Sequence, residues 1–207
     1  MDHYQQKVEI LRKKMHRYAA ADTIIAFSGG VDSSLLLKLA SDAARETGKK
    51  VYGIYLHTML HPVKEEEGAQ KVAQEMGAIF RVLKVDELEG AGIEDNPLDR
   101  CYRCKRHLFC KIQEKAKELG VSTILEGTNE DDLHVYRPGI RAVRELGILS
   151  PLADAGFSKA DVRRLAGEYG ISVSDKPSAP CLATRFPYGT RISYEEMRKV
   201  EEGETFL

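Results

Sequence analysis

The sequence predicts an α/β fold in which a parallel, twisted sheet carries helices on both faces. Two observations support this prediction. Short apolar segments alternate along the chain with amphipathic segments of helical periodicity, and glycines follow several of the predicted helices. This alternation is typical of parallel strands joined by right-handed crossover helices. Because such sheets bind ligands beyond the carboxyl ends of their strands, we expect functional residues directly after the strands.

The first half of the chain supplies three predicted strands and three predicted helices. A basic amphipathic helix, whose charged side we interpret as a solvated face, precedes the first strand. The helices after the first and second strands end at Gly48 and Gly77. In order, the predicted elements are a helix at 8–18, a strand at 23–27, a helix at 35–45, a strand at 51–56, a helix at 65–76 and a strand at 79–85.

The second half is predicted to be mostly helical, with one further strand. Asn96-Pro97 is a helix-initiating turn, and the helix after it ends at Gly120. Ser158 with Asp161 forms a predicted capping box. The remaining predicted elements are a strand at 122–125, a turn or short strand at 150–152, a helix from 158 to 169, a long irregular loop at 176–189 and a last helix opened by the Ser193–Glu196 capping box.

Composition limits the class of protein. The 207 residues are enough for one ordinary domain, and a hydrophobic content of 43% is normal for a globular protein. The sequence shows neither a membrane span nor a signal peptide, so we expect a cytoplasmic protein without a membrane partner. A net charge of −1 gives no global indication of a nucleic-acid partner. In that compartment the four cysteines are expected as thiols, core residues or ligands of a metal or cluster.

The stretch 28–34, Ser-Gly-Gly-Val-Asp-Ser-Ser, lies between the first strand and its helix and is the strongest candidate site. Gly29 and Gly30 allow the backbone to approach an anion closely. Ser33 and Ser34 lie at the helix start, where free N–H groups and the helix dipole favour phosphate. The stretch fits neither the Walker A pattern nor the dinucleotide-binding glycine pattern. The alternative is an ordinary Gly-Gly turn capped by Asp32.

Two further groups of residues are candidates for metal chemistry. Cys101 and Cys104 share one helix face, whereas Cys110 is turned away from both and is interpreted as a small buried residue. After the fourth strand, a Gly-Thr-Asn turn at 127–129 precedes Asp131 and Asp132, whose oxygens suit magnesium. The alternative for these two carboxylates is solvated turn charge.

Four blocks together carry a family resemblance. The stretch 28–34 resembles the phosphate loop of the PP-loop ATP pyrophosphatase superfamily, whose members cleave ATP between the α- and β-phosphates. The blocks 100–105, 126–139 and 176–190 extend this similarity to nearly the whole chain. In this order, the four blocks resemble the LarE family of ATP-dependent sulfur transferases. That family produces the dithiolated pyridinium mononucleotide of the nickel-pincer cofactor.

The resemblance implies a reaction and its cofactors. ATP with Mg2+ would adenylylate a carboxylate of pyridinium-3,5-biscarboxylate mononucleotide, the small-molecule partner, and sulfur would then displace AMP. The implied catalytic residues are Cys181, Asp32 and Arg185. The implied nucleotide-binding residues are Ser28, Gly29, Gly30, Asp32, Ser33, Ser34 and Gly127. Cys101, Cys104 and Cys181 would hold a 4Fe–4S cluster, as in the three-cysteine branch of the family, and Asp131 and Asp132 are possible magnesium ligands.

Several alternatives stay open at this point. Cys181 alone could be a sacrificial sulfur donor, as in the other branch, or a core residue. Zinc could replace the cluster, with His107 or His134 completing the ligands. A tRNA thiolation enzyme of the same superfamily is the main rival function. A non-catalytic nucleotide-binding module is another.

Domain boundaries and assembly follow from the same resemblance. We expect a PP-loop domain at 1–192 and, at 193–207, the start of a truncated C-terminal extension. Family members usually continue there into a small α/β domain that contributes to oligomerisation. The protein is expected to be a homo-oligomer that binds no nucleic acid.

Overall fold

The computed structural model describes residues 2–60, 65–177 and 180–206. Its first half contains α1 (His3–Tyr18), β1 (Thr23–Ala26), α2 (Val31–Thr47), β2 (Val51–His57), α3 (Glu65–Glu75), β3 (Ile79–Lys84) and α4 (Glu87–Ala91). Its second half contains α5 (Arg100–Leu119), β4 (Thr123–Leu125), a 3-10 helix (Asp131–His134), α6 (Gly139–Glu145), α7 (Pro151–Asp154), α8 (Lys159–Glu168), a second 3-10 helix (Leu182–Arg185) and α9 (Tyr194–Phe206).

The four strands form one parallel sheet in the order β3-β2-β1-β4. Central strand β1 places Ile24 beside Tyr52 of β2 and beside Ile124 of β4. Both neighbours of β1 are parallel to it, so the chain crosses the sheet through helices, as the alternating pattern predicts. The predicted fold class is confirmed.

Neighbouring residues of β1 pack on opposite faces of the sheet because strand side chains alternate. Ile25 belongs to a core that it shares with buried residues of α1, α2 and α8. Ile24 belongs to a second core with Phe109 and Ile112 of α5. Helices therefore cover both faces and fix the positions of the loops at the strand ends.

A third apolar cluster lies outside the sheet and is built from loops and helix ends. Leu182 N donates to Leu60 O at 3.0 Å, which ties the loop after β2 to the second 3-10 helix. Cys104 and Cys181 are partly buried against this cluster. Its buried members are Leu60, Leu88, Ile93, Leu182, Ala183, Ile192 and Met197. Met197 belongs to α9, so that helix packs on the main body, and a domain boundary at residue 192 stays a prediction.

Several boundaries differ from the predictions for local reasons. Helix α2 begins at Val31 because Gly30, with extended backbone angles, is its N-cap. Helix α5 begins only at Arg100, because residues 97–99 form a turn in which Arg100 N donates to Pro97 O at 2.9 Å and Asp99 is the N-cap. Segment 150–152, predicted as a turn or short strand, opens α7 with Pro151 in its first turn. Helix α4 was not predicted.

The predicted helix ends are confirmed where local chemistry determines them. Gly48 and Gly120 adopt left-handed conformations after α2 and α5. Ser158 and Asp161 form the reciprocal capping box of α8. Within the described ranges, no helix has the length and apolarity that a bilayer crossing requires.

Candidate active site

A cavity of about 410 Å³ lies beyond the carboxyl ends of β1, β2 and β4. It brings together the loop after β1, the end of β2, the first turns of α5, the turn after β4 and Cys181. Its polar lining residues are Ser28, Asp32, Ser33, Thr58, Arg100, Cys101, Cys104, Lys105, Glu126, Thr128, Asp132, Arg137 and Cys181. The sheet edge where the sequence predicts the ligand site is therefore the edge that holds the cavity.

The loop at 28–34 is held in its turn by its own hydroxyl groups and by α3. Ser33 Oγ accepts from Ser28 N at 3.2 Å and donates to Gly30 O at 3.1 Å. Gly29 has a φ of 72°, and a Cβ there would lie 2.9 Å from the Cβ of Ala69. Ser34 is fully buried, and its hydroxyl has no hydrogen-bond partner among the described residues. Ser28, Asp32 and Ser33 line the cavity, so the start of α2 lies at the cavity edge, and free N–H groups at a helix start favour phosphate.

Asp32 connects this loop to two other segments. Its carboxylate accepts from Asn129 Nδ2 at 3.1 Å and makes a close ion pair with the Lys159 ammonium at the start of α8. Gly127 lets the two loops touch, since a Cβ on Gly127 would lie 3.0 Å from Asp32 Cβ. Lys159 is not predictable as a site residue from the sequence, because only the fold brings it to Asp32.

The two candidate magnesium carboxylates face different ways. Asp132 lines the cavity, pairs with Arg137 at 3.1 Å and accepts from Asn129 N at 3.2 Å. Asp131 accepts from the backbone N of Lys159 at 2.8 Å and is not among the lining residues. Asp132 is therefore the better placed of the two for a metal bound beside Asp32.

Glu126 is a buried carboxylate in the cavity wall. It pairs with Lys105 at 3.2 Å and accepts from the Thr128 hydroxyl at 2.9 Å and the Ser150 hydroxyl at 2.5 Å. Burial alone would raise the pKa of Glu126, but Lys105 and these hydrogen bonds hold the pKa below its usual range. Glu126 is therefore ionised and fixes the turn that carries Gly127 and Thr128.

Replacing Glu126 with glutamine is expected to lower the free energy of unfolding by about 2 kcal/mol near neutral pH, because it leaves Lys105 without its buried partner. The pKa of Glu126 is lower in the folded than in the unfolded chain, so its contribution is present above about pH 4.3 and is lost as the pH falls through the folded-state pKa. Urea titrations across pH should show a difference from wild type that shrinks in acid. The surface variant Glu114→Gln, on an exposed pair with Lys111, should show almost none. An equal loss of stability in the two variants would contradict this role of Glu126.

The cavity brings together the three cysteines that the family resemblance assigns to a cluster. Cys101, Cys104 and Cys181 all line it. Burial is the main reason that the pKa of Cys104 is raised to about 12. The nearby Cys181 thiol, Glu87 and the Cys101 thiol raise it further. Burial also raises the pKa of Cys181, against the opposing effect of Arg100. In the part of the chain that the structure describes, no three His, Cys, Asp or Glu side chains stand close enough together to hold a metal ion.

Cys110 is separate from these three thiols, as its helical position predicts. It lines a second, open cavity of about 450 Å³ on another side of α5, together with Tyr102 and His107. It is half-buried rather than fully buried, so the interpretation of Cys110 as a buried core residue is only partly correct.

Arg185 lies outside the cavity lining. Its guanidinium makes two contacts of 2.7 and 3.0 Å with the Glu204 carboxylate of α9, and it also donates to the carbonyl oxygens of Pro180 and Cys181. These contacts hold the backbone that presents Cys181. Ser178 and Ala179, in the same predicted loop, lie outside the described residues. A catalytic role for Arg185 stays a prediction.

Comparisons with known proteins agree with this geometry. Residues 2–135 match the PP-loop domain family. An uncharacterized protein of Synechocystis sp. is 38% identical over 203 residues, which cover 98% of this chain and 74% of that protein. The pyridinium-3,5-bisthiocarboxylic acid mononucleotide synthase of Lactiplantibacillus plantarum is 33% identical over 183 residues, which cover 88% of this chain and 66% of the synthase.

The fold also has a solved counterpart. The NMN synthetase of Francisella tularensis superposes with a TM-score of 0.63 over 97% of this chain and 85% of that structure, at 16% sequence identity. That likeness concerns the fold alone. The match of residues 2–135 shows that the chain belongs to the PP-loop family, and within that family its sequence is similar to an ATP-dependent sulfur transferase of the LarE type.

Proposed function

We propose that this protein adenylylates a carboxylate of pyridinium-3,5-biscarboxylate mononucleotide and then replaces AMP with sulfur, in the biosynthesis of the nickel-pincer cofactor. One observation carries the proposal: the phosphate loop and the three thiols of Cys101, Cys104 and Cys181 line the same cavity. The similarity to the Lactiplantibacillus synthase supports this choice of substrate. Nucleotide activation and sulfur delivery would then take place without the intermediate leaving the protein.

The first step is the transfer of AMP to the substrate. A carboxylate oxygen attacks the α-phosphorus of ATP, the bond to the β-phosphate breaks, and pyrophosphate leaves with the electron pair. Such a transfer depends on positioning and charge neutralisation. The N–H groups of the loop at 28–34 would hold the phosphates, and Lys159, beside Asp32, is placed to neutralise their charge.

Magnesium would be held by Asp32 and Asp132, since carboxylate oxygens are the ligands this ion prefers. When bound, the ion neutralises charge on the departing pyrophosphate. The Lys159 ammonium forms an ion pair with the Asp32 carboxylate. The phosphates of ATP offer Lys159 a second anionic partner, which would release the Asp32 carboxylate for the metal.

The second step replaces AMP with sulfur. The sulfur atom attacks the carbonyl carbon, the bond from that carbon to the AMP oxygen breaks, and a thiocarboxylate results. Cys101, Cys104 and Cys181 line one cavity and would hold a 4Fe–4S cluster through three thiolates, the kind of donor that such clusters take. When bound, such a cluster supplies a sulfide that can be replaced after each turnover. Because its pKa is raised, the Cys104 thiol is protonated when no ligand is bound. Binding of a cluster would therefore release a proton from Cys104.

The test is to incubate anaerobically purified protein with ATP, Mg2+ and the pyridinium dicarboxylate substrate. We expect pyrophosphate rather than ADP, and mass spectrometry should detect the acyl adenylate and then the thiocarboxylate. Release of ADP would overturn the proposal. So would tight, salt-sensitive binding of tRNA with no adenylylation of the small substrate, which is the behaviour of the rival enzyme class. A cytoplasmic location and a homo-oligomeric state remain predictions.

A further inference from the structure

Arg100 is a buried cation in the cavity wall. It is the first residue of α5, only 3% of its surface is exposed, and it lines the cavity beside Cys101. A buried charge is costly unless an opposite charge or a set of hydrogen bonds compensates it. The partners of its guanidinium therefore indicate what the cavity is built to bind.

Those partners are uncharged groups. Arg100 Nη1 donates to Ala183 O at 2.9 Å and to Asn96 Oδ1, and Nη2 lies 4.0 Å from Cys101 Sγ. The ring of Tyr188 stacks near it, with 5.4 Å from the guanidinium carbon to the ring centroid. Across the described ranges, no carboxylate lies within ion-pair distance of Arg100.

The other two cationic residues of the cavity lining differ from Arg100 in this respect. Lys105 pairs with Glu126 at 3.2 Å, and Arg137 pairs with Asp132 at 3.1 Å. Glu87 is fully buried on the side of the thiols, but it accepts from Leu60 N at 2.7 Å and forms no ion pair with Arg100. Among the lining residues that the structure describes, Arg100 is therefore the cation without an ion-pair partner, and its guanidinium lies beside Cys101.

We propose that Arg100 binds the anionic sulfur atom that attacks the adenylate. This inference rests on the proposed function: Arg100 would hold the sulfur reactant of its second step. The ligand chemistry is a hydrosulfide-type anion, whether it comes from solution or from a cluster held by Cys101, Cys104 and Cys181. Its electron pair forms the C–S bond as the C–O bond to AMP breaks. AMP leaves with the electron pair of the broken C–O bond, and the hydrosulfide proton passes to solvent.

The competing role for Arg100 is structural. Through Ala183 O it joins α5 to the loop that carries Cys181. Two substitutions separate the roles: Arg100→Lys keeps the charge but loses the planar guanidinium donors, and Arg100→Gln keeps hydrogen-bond donors but is neutral. Arg103→Gln, one turn away on the exposed side of α5, is the matched control.

The experiment titrates inorganic sulfide against the full chain with saturating ATP, Mg2+ and substrate, and follows pyrophosphate and thiocarboxylate separately. We expect Arg100→Gln to release pyrophosphate at the wild-type rate while its apparent KM for sulfide rises about tenfold or more, as expected when a charge-assisted contact is lost. The apparent KM of Arg100→Lys for sulfide should stay within about threefold of the wild-type value. The apparent KM of Arg103→Gln should equal the wild-type value. Equal failure of the lysine and glutamine variants, or wild-type use of sulfide by Arg100→Gln, would overturn the inference.

Two further measurements keep the conclusion independent of variant folding and of the substrate assignment. Crystals of the wild-type protein soaked in bromide should show anomalous scattering beside the Arg100 guanidinium, and absence of that peak counts against an anion site. Repeating the titration after iron chelation distinguishes the two sources of the sulfur. If the sulfur is free hydrosulfide, the raised apparent KM of Arg100→Gln persists after chelation. If the sulfur is carried on a cluster, the difference between Arg100→Gln and wild type disappears. If the wild-type protein forms no adenylate but binds bromide at Arg100, the proposed function fails while the anion site stands.

Discussion

Replacing Asp32 with alanine is expected to lower pyrophosphate release by at least about a hundredfold, the loss typical for removal of one charge-positioning group in an active site. Asp32 lies at the start of α2, contacts Asn129, and pairs with Lys159. Without its carboxylate, Lys159 loses its partner and the proposed metal loses a ligand. Release of pyrophosphate, measured with ATP, Mg2+ and substrate, tests this directly.

The matched control is Asp42→Asn. Asp42 lies on the same helix and also pairs with a lysine, Lys38, at 2.6 Å, but neither residue lines the cavity. That variant should keep wild-type activity and lose only a few tenths of a kcal/mol of stability, the usual value of an (i, i+4) pair. If Asp32→Ala melts like wild type and still releases pyrophosphate, Asp32 has no catalytic role and its contacts with Asn129 and Lys159 are only structural.

The second large effect is expected at the three cavity cysteines. Each of the variants Cys101→Ala, Cys104→Ala and Cys181→Ala should lose the brown absorbance and the iron content of anaerobically prepared protein. Each should also lose sulfur transfer. The reason is that a cluster held by three thiolates loses its site when any one of them is removed. Iron and sulfide analysis, ultraviolet–visible spectra and thiocarboxylate yield are the measurements.

Cys110→Ala is the control for these three variants, because Cys110 faces a different cavity. It should keep both the absorbance and the activity. A different pattern would identify the sacrificial mechanism: a single turnover kept by Cys101→Ala and Cys104→Ala, but not by Cys181→Ala, would eliminate the cluster. Zinc in place of iron in the wild-type protein would eliminate it as well.

The parts of this molecule that were predictable from sequence are those that depend on neighbouring residues. The loop at 28–34 has its turn, its glycines and its helix start within one short stretch, so its position follows from local rules. The same is true of the capping box at Ser158 and the helix end at Gly120. The apolar strands were recognisable because a parallel sheet covered on both faces requires continuous apolar runs.

The parts that were missed depend on contacts between distant segments. Lys159 looks like an ordinary first-turn residue of α8, and only the packing of α8 against α2 brings it to Asp32. Arg100 looks like one of several cations around the Cys101 block, and its burial becomes visible only when the loop at Ala183 folds over it. Arg185 lies in a segment without periodicity, so nothing local indicates that it turns toward Glu204.

The third apolar cluster has a consequence for how the protein opens. It is smaller than the two clusters on the sheet, and it joins residues such as Leu60 and Leu182 that are far apart in the chain. Closing such long loops carries a large entropic cost, so this cluster is expected to open as a separate unit while the sheet stays folded. Cys104 and Cys181 pack on it. Local unfolding of this one unit would expose Cys104 and Cys181 to incoming reactants, and hydrogen exchange is expected to show that the phosphate loop keeps its amide protection meanwhile.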